Sequence, residues 1–139
     1  MNEIFSIKGK VAIISGAGGV LGGSIAKSFI QAGAKVVAID IRQENLDSRI
    51  KELTDLGGEA IGVIGNVLDI ESLEKVAETV VEKWGRIDIL LNIAGGNIPA
   101  ATLSADQCFF DMDLDGWNKA TNLNMNGTVY PSYVFGKYY

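Results

Sequence analysis

The apolar run Lys10-Val11-Ala12-Ile13-Ile14 breaks directly into Ser15-Gly16-Ala17-Gly18-Gly19-Val20-Leu21-Gly22-Gly23, and a helical pattern follows. A buried strand that turns through glycines into a helix is built to hold a phosphate. Gly16 permits the sharp turn, and Gly18, Gly19 and Gly22 keep side chains out of a ligand's way. The first free N–H groups of the helix, at Val20 and Leu21, then face the anion. The ligand class implied is a dinucleotide, although glycine-rich turns also serve as plain strand-to-helix connections.

Outward from this turn the chain alternates strand and helix. Val11–Ile14 reads as a strand, Leu21–Gln31 as a helix and Lys35–Asp40 as a second strand. The segment Gln43–Leu56 carries Leu46, Ile50 and Leu53 at helical spacing, with Gly57-Gly58 as its stop. Ala60–Ile64 is a third strand, Glu71–Trp84 an amphipathic helix, and Ile87–Leu91 a fourth strand, apolar enough to be covered on both faces. This order predicts an α/β fold, a Rossmann-type doubly wound parallel sheet in one domain over residues 1–139.

Residues 95–115 break the alternation, being polar and aromatic by turns without a sustained period. The segment is either a loop covering a substrate or a surface excursion with Phe109, Phe110 and Met112 tucked into the core. A last helix is expected from Asp115 onward, through Trp117, Ala120, Leu123, Thr128 and Val134.

Composition narrows the function. With 139 residues, 47% hydrophobic and 21% charged, the chain reads as a globular domain able to bury a substantial core. A net charge of -5 leaves no basic face for nucleic acid, and no apolar run approaches the ~18 residues of a membrane span. The chain has no histidine, which removes Ser-His-Asp and Cys-His catalysis and most zinc sites, so no metal is expected. Cys108 is the single cysteine; no intrachain disulfide can form, and a cytoplasmic setting is expected.

Asp40 closes the second strand, eighteen residues after Gly22, with Ile41 next to it. A carboxylate there accepts hydrogen bonds from both ribose hydroxyls of an adenosine and repels a 2′-phosphate, which favours NAD over NADP. Arg42, two residues on, softens that preference. The plain alternative for Asp40 is a solvated strand end.

At this point the chain resembles the short-chain dehydrogenase/reductase family along nearly its whole length. The Ser15–Gly22 turn looks like the family's cofactor loop, with Ser15 where threonine is usual. Asn66-Val67-Leu68-Asp69 resembles its adenine-contacting segment, with Asn66 in place of the common aspartate. An amide oxygen still accepts from an adenine amino group. Asn92-Ile93-Ala94-Gly95 resembles the Asn-Asn-Ala-Gly strand end beside the cofactor, with Ile93 replacing the second asparagine. Asn124-Met125-Asn126-Gly127 resembles the element whose asparagine holds a water in the proton relay, and Asn124 is the position carried over as catalytic.

The resemblance implies hydride transfer between NAD and a hydroxy or keto carbon of a small-molecule substrate. The loop, the Ala94-Gly95-Gly96-Asn97 turn and Phe109-Phe110-Asp111-Met112-Asp113 are similar to mannonate oxidoreductases or fructuronate reductases, implying a sugar acid. Family members are commonly oligomers, so a homo-oligomer is expected of a full-length chain. Gly16, Gly19 and Gly22 also fit the spacing of the family's extended branch of epimerases and dehydratases, with Val20 where the short branch has glycine. A dinucleotide-binding fragment without catalysis is the third reading.

The family's proton-transferring Tyr-x-x-x-Lys has an apparent match in Tyr133–Lys137, beside Ser132. Tyr133 follows Asn124 by only nine residues, within one helix, whereas the family places its tyrosine on a later helix across a further strand. The pair is therefore read as a decoy. The catalytic serine, tyrosine and lysine are expected beyond residue 139. The 139-residue chain alone is expected to be inactive and, with an apolar sheet edge and helix face open, prone to associate.

Overall fold

In a computed structural model that describes residues 3–139, four strands form one parallel sheet in the order β3-β2-β1-β4. They are β1 (Val11–Ser15), β2 (Lys35–Asp40), β3 (Ala60–Ile64) and β4 (Ile89–Asn92). Between them run α1 (Val20–Gln31), α2 (Gln43–Asp55) and α3 (Ile70–Trp84); α4 (Leu114–Thr121) and α5 (Gly127–Phe135) follow. The α/β, doubly wound architecture is the one expected.

Strand alternation divides the core. Val11, Ile13, Val37 and Ile39 point to one face, where they meet Leu73, Val76, Ala77 and Val80 of α3 and Val134 and Phe135 of α5. Ile14, Val36 and Ala38 point to the other, against Ala26 and Ile30 of α1 and Leu46 and Leu53 of α2. Successive strand residues face opposite sides, so a continuous apolar run is what a sheet covered twice requires. α3 has sharp ends: Asp69 accepts from the N–H groups of Glu71 and Ser72, and Gly85 ends it at φ 72°.

The fourth strand departs from its expected range. Ile87 is buried but precedes the ladder, which starts at Ile89 and pairs with β1 alone among the described residues. All four residues of β4 are half-buried: Leu90 packs on the α3–α5 side of the core and Leu91 on the α1–α2 side, and among the described residues the strand is the open sheet edge that was expected. Asp88 sits at its entry because its carboxylate is needed there: Oδ2 accepts the Val11 N–H at 2.8 Å while Arg86 donates to both oxygens.

Burial pushes the Asp88 carboxyl up, but the Arg86 hydrogen bond, the Val11 N–H and the charges of Arg86 and Lys10 outweigh it and hold it below its ordinary range. The folded chain thus binds this proton more weakly than the unfolded chain. The stabilisation is present above the ordinary carboxylate pKa of about 3.9 and is lost as pH falls through the lower folded value. Asp88→Asn should melt below the native chain at pH 7, and the gap should close below about pH 4. Thermal melts of both from pH 7 to 3 check this; a constant gap contradicts it.

Residues 95–115 hold two short 3-10 turns, Pro99–Ala101 and Phe109–Asp111, joined by irregular chain, before α4 begins at Leu114. Phe109 and Phe110 are 69% and 91% exposed, which corrects the core-tucked reading. The two rings pack on each other edge to face at 5.7 Å. The last helix is not uniform either: a π-helical turn over Asn122–Asn126 separates α4 from α5.

Candidate functional site

The chain climbs β1, β2, β3 in one direction and then crosses to β4 on the other side of β1. Loops leaving β1 and β4 must therefore part, and open α/β sheets hold ligands in the crevice so made. A cleft of about 910 Å³ lies there, reached by the carboxyl ends of all four strands. That volume falls within the range of about 300–1,000 Å³ of small-molecule sites.

Gly16, Gly19, Val20, Leu21 and Gly22 line it from the β1–α1 turn; Asp40, Ile41, Asn66, Val67, Asn92, Ala94 and Gly95 line it from the other strand ends. Asn124 reaches it from the π-helical turn. Two predicted residues do not line it. Ser15 is fully buried: its Oγ accepts the N–H groups of Ile93 and Ala94, each at 3.1 Å, and donates to the Leu91 carbonyl. It clamps the end of β1 to the end of β4 and so spaces the two loops. Gly18 turns inward, its N–H donating to Asp40 Oδ2 at 3.2 Å.

The glycine turn is tight for a measurable reason. Gly16 has φ 65°, and a Cβ there would stand 2.8 Å from the Ala94 nitrogen. At Gly22 a Cβ would stand 2.5 Å from the Gly16 carbonyl oxygen, so α1 packs directly on the turn. Val20 is 91% exposed at the mouth, which is why a side chain is tolerated where the family has glycine.

Asp40 is held by two N–H groups, Gly18 on Oδ2 and Arg42 on Oδ1 at 3.0 Å. An ionised carboxylate has about four acceptor sites, so two remain for the hydroxyls of a ribose. Asn66 is less available than its sequence position implies. Its Oδ1 accepts the Leu68 N–H at 2.9 Å, so half of the amide oxygen is used within its own turn.

Asn92 donates from Nδ2 to Ser132 Oγ at 3.2 Å, while its Oδ1 is buried without a partner among the described residues. A buried acceptor facing a crevice is a fit for a hydroxyl or amide donor. Asn124 uses its side chain twice on one residue: Oδ1 accepts the Gly96 N–H at 3.0 Å and Nδ2 donates to the Gly96 carbonyl at 2.8 Å. π-Helical turns are frequent at functional sites, and this one delivers Asn124 to the β4 loop.

Several features escaped the sequence reading. Asn45 and Thr128 also line the cleft. Arg49, on α2, lies behind the glycine turn and donates Nε to the Ala17 carbonyl at 2.9 Å and Nη2 to the Gly19 carbonyl at 3.1 Å. Its only sequence signal was the empty groove left by Gly23, where a Cβ would meet the guanidinium at 2.2 Å. Of residues 95–115, Gly95 and Gly96 alone line the cleft.

Tyr133 and Lys137 stand outside it. Lys137 Nζ lies 4.8 Å over the Tyr133 ring and 3.4 Å from Glu74 of α3, a surface pairing in a chain whose Tyr133 is 63% exposed. No tyrosine or lysine lines the cleft among the described residues. No described group of three or more His, Cys, Asp or Glu side chains is placed to hold a metal, and no described helix is long and apolar enough to cross a membrane.

Known proteins share this fold. The short chain dehydrogenase family model matches residues 10–138. An uncharacterized oxidoreductase, UxuB of Bacillus subtilis, is 36% identical over 140 aligned residues, covering 95% of this chain and 50% of that protein. The 3-oxoacyl-[acyl-carrier-protein] reductase FabG of Thermotoga maritima is 38% identical over 121, covering 87% and 46%. A crystal structure from Haemophilus influenza with bound NAD, provisionally named a D-mannonate oxidoreductase, superposes with a TM-score of 0.87 at 35% identity. It covers 95% of this chain and 51% of that one. The chain spans about half the length of the curated relatives it matches. The family match runs through the glycine turn and Asn124 alike, where glycine spacing by itself left the extended branch open. Fold, cleft and relatives agree: the chain belongs to the short-chain dehydrogenase family.

Proposed function

We propose that residues 1–139 form the cofactor-binding unit of an NAD-dependent oxidoreductase whose substrate is a hydroxy or keto sugar acid. The observation that carries the cofactor is Asp40, presented at the end of β2 beside the glycine turn with acceptor capacity left over. When bound, the dinucleotide supplies hydride transfer at its nicotinamide ring. The chain's own residues bind and orient it. Gly16, Gly19, Gly22 and the N-terminus of α1 take the diphosphate; Asp40 with Ile41 takes the adenosine ribose; Asn66 and Val67 border the adenine. Asn92, Ala94 and Gly95 border the nicotinamide side, and Asn124 holds the Gly96 turn there.

The sugar-acid class is supported by the name given to the Haemophilus neighbour and by the resemblance of the Gly95–Asp113 loop to such enzymes. Because no tyrosine or lysine lines the cleft among the described residues, we assign this chain alone no turnover. Exposed Trp117, Met125, Val129 and Tyr133 on α4, the π-helical turn and α5 support a homo-oligomer of the full-length protein. A cytoplasmic setting suits the single, exposed Cys108.

The test is a pair of titrations, NAD and NADP, with native chain and Asp40→Ala. Hydrogen bonds to a charged group contribute about 1.5–3 kcal/mol, so the variant should lose roughly tenfold or more in NAD affinity and none in NADP affinity. Unchanged discrimination overturns the NAD assignment. Oxidation of a sugar acid by the purified 139-residue chain overturns the lack of turnover.

A further inference from the structure

Arg49 is the one described guanidinium that donates to carbonyls of the glycine turn, and it is not among the residues that line the cleft. Its side chain is only 15% exposed. Nε donates to the Ala17 carbonyl at 2.9 Å; Nη2 donates to the Gly19 carbonyl at 3.1 Å and reaches the Gly18 carbonyl at 3.5 Å. Nη1 pairs with Glu52, which also pairs with Lys27 of α1, so the guanidinium is anchored to both helices that flank the turn. The space it occupies exists because residue 23 is a glycine: a Cβ there would stand 2.2 Å from Cζ and Nη2.

We infer that Arg49 is a positioning residue for diphosphate binding, setting the Gly19–Val20 peptide plane so that the Val20 N–H faces the ligand, while the Gly18 and Gly19 N–H groups are taken up by Asp40 and the Gly16 carbonyl. The reason is peptide geometry. In a planar trans peptide the N–H of one residue points opposite the carbonyl of the residue before it. The Gly19 carbonyl accepts both the Gly23 N–H of α1 and Arg49 Nη2, and holding it there directs the Val20 N–H away from α2. Val20 and Leu21 line the cleft, and their N–H groups are among those that α1 cannot satisfy within itself. Pinning the carbonyls also lowers the cost of ordering a glycine-rich segment when an anion arrives. Arg49 is not among the cleft-lining residues, so it acts through the turn and does not touch the ligand. The inference rests on the dinucleotide reading above and adds a residue to it.

The experiment measures binding of NAD, ADP-ribose and adenosine by the full chain, using calorimetry for the first two and chemical-shift titration for adenosine. Arg49→Met should weaken NAD and ADP-ribose by about tenfold or more, the scale of one lost charge-assisted hydrogen bond, and change adenosine by less than about twofold. Arg49→Lys, with a single point donor, should recover part of the loss. Gly23→Ala, which keeps the charge but fills its groove, should reproduce the Arg49→Met pattern, and the double variant should add nothing further.

Parallel losses for adenosine and ADP-ribose would show a merely structural role and overturn the inference, as would diphosphate binding unaffected in every variant. If Arg49→Met does not fold, Arg49→Lys and Gly23→Ala decide by the same comparison. A native chain that binds none of the three ligands overturns the dinucleotide reading itself, and Arg49's role with it.

Discussion

Gly16→Val should abolish dinucleotide binding, by more than about a hundredfold, and lower stability by about 2–5 kcal/mol. Two terms make up the loss. A β-branched residue at φ 65° costs about 1–2 kcal/mol, and overpacking about 1–3 more. The new Cβ would fall 2.8 and 2.9 Å from the Ala94 nitrogen and Cα, backbone atoms that cannot swing aside like a flexible side chain. The loops leaving β1 and β4 would have to separate, and the cleft is the space between them. Gly57→Val separates the two terms: φ there is 83°, but nothing lies within 4 Å of the new Cβ. It should lose stability from strain alone and keep its affinity for NAD. Denaturant melts with NAD titration check both; equal binding by the two variants contradicts the steric account.

Ser15→Ala should cost about 2–4 kcal/mol, a large effect for one hydroxyl. Ser15 is fully buried, and its loss leaves the N–H groups of Ile93 and Ala94 without their acceptor. Each donor orphaned away from water costs about 1–3 kcal/mol, partly recovered where solvent reaches the half-buried β4 loop. Affinity for NAD should fall as well, because Ala94 lines the cleft and is held by that oxygen. Ser15→Thr keeps the Oγ and should stay within about 1 kcal/mol of the native chain. A melt in which alanine and threonine behave alike would remove the clamp from the account.

Both predictions concern residues that were legible in the sequence but whose contacts with the end of β4 were not. Ser15 reads in sequence as part of a phosphate turn. In the fold it holds two strand ends together, because β1 and β4 are neighbours although their partner residues are over seventy positions apart. Phe109 and Phe110 are the reverse case. Their hydrophobicity argued for burial, yet both are exposed, since a loop without periodicity carries no record of which way its side chains turn. Asn66 kept its place at the cleft but spends half of its amide oxygen on Leu68, a turn contact invisible to motif matching.

The order of strands and helices, the glycine turn, Asp40 at a strand end and the exclusion of histidine chemistry were all determined by the sequence alone. These are local matters: periodicity, turn residues and composition are written within a few neighbouring positions. Three things awaited the assembled sheet. They are the crossing of the chain to β4, which opens the cleft; the meeting of Gly16 with Ala94; and the seat of Arg49 over Gly23. Each joins residues far apart in the chain, and only packing of the helices on a parallel sheet brings such pairs within a few ångströms.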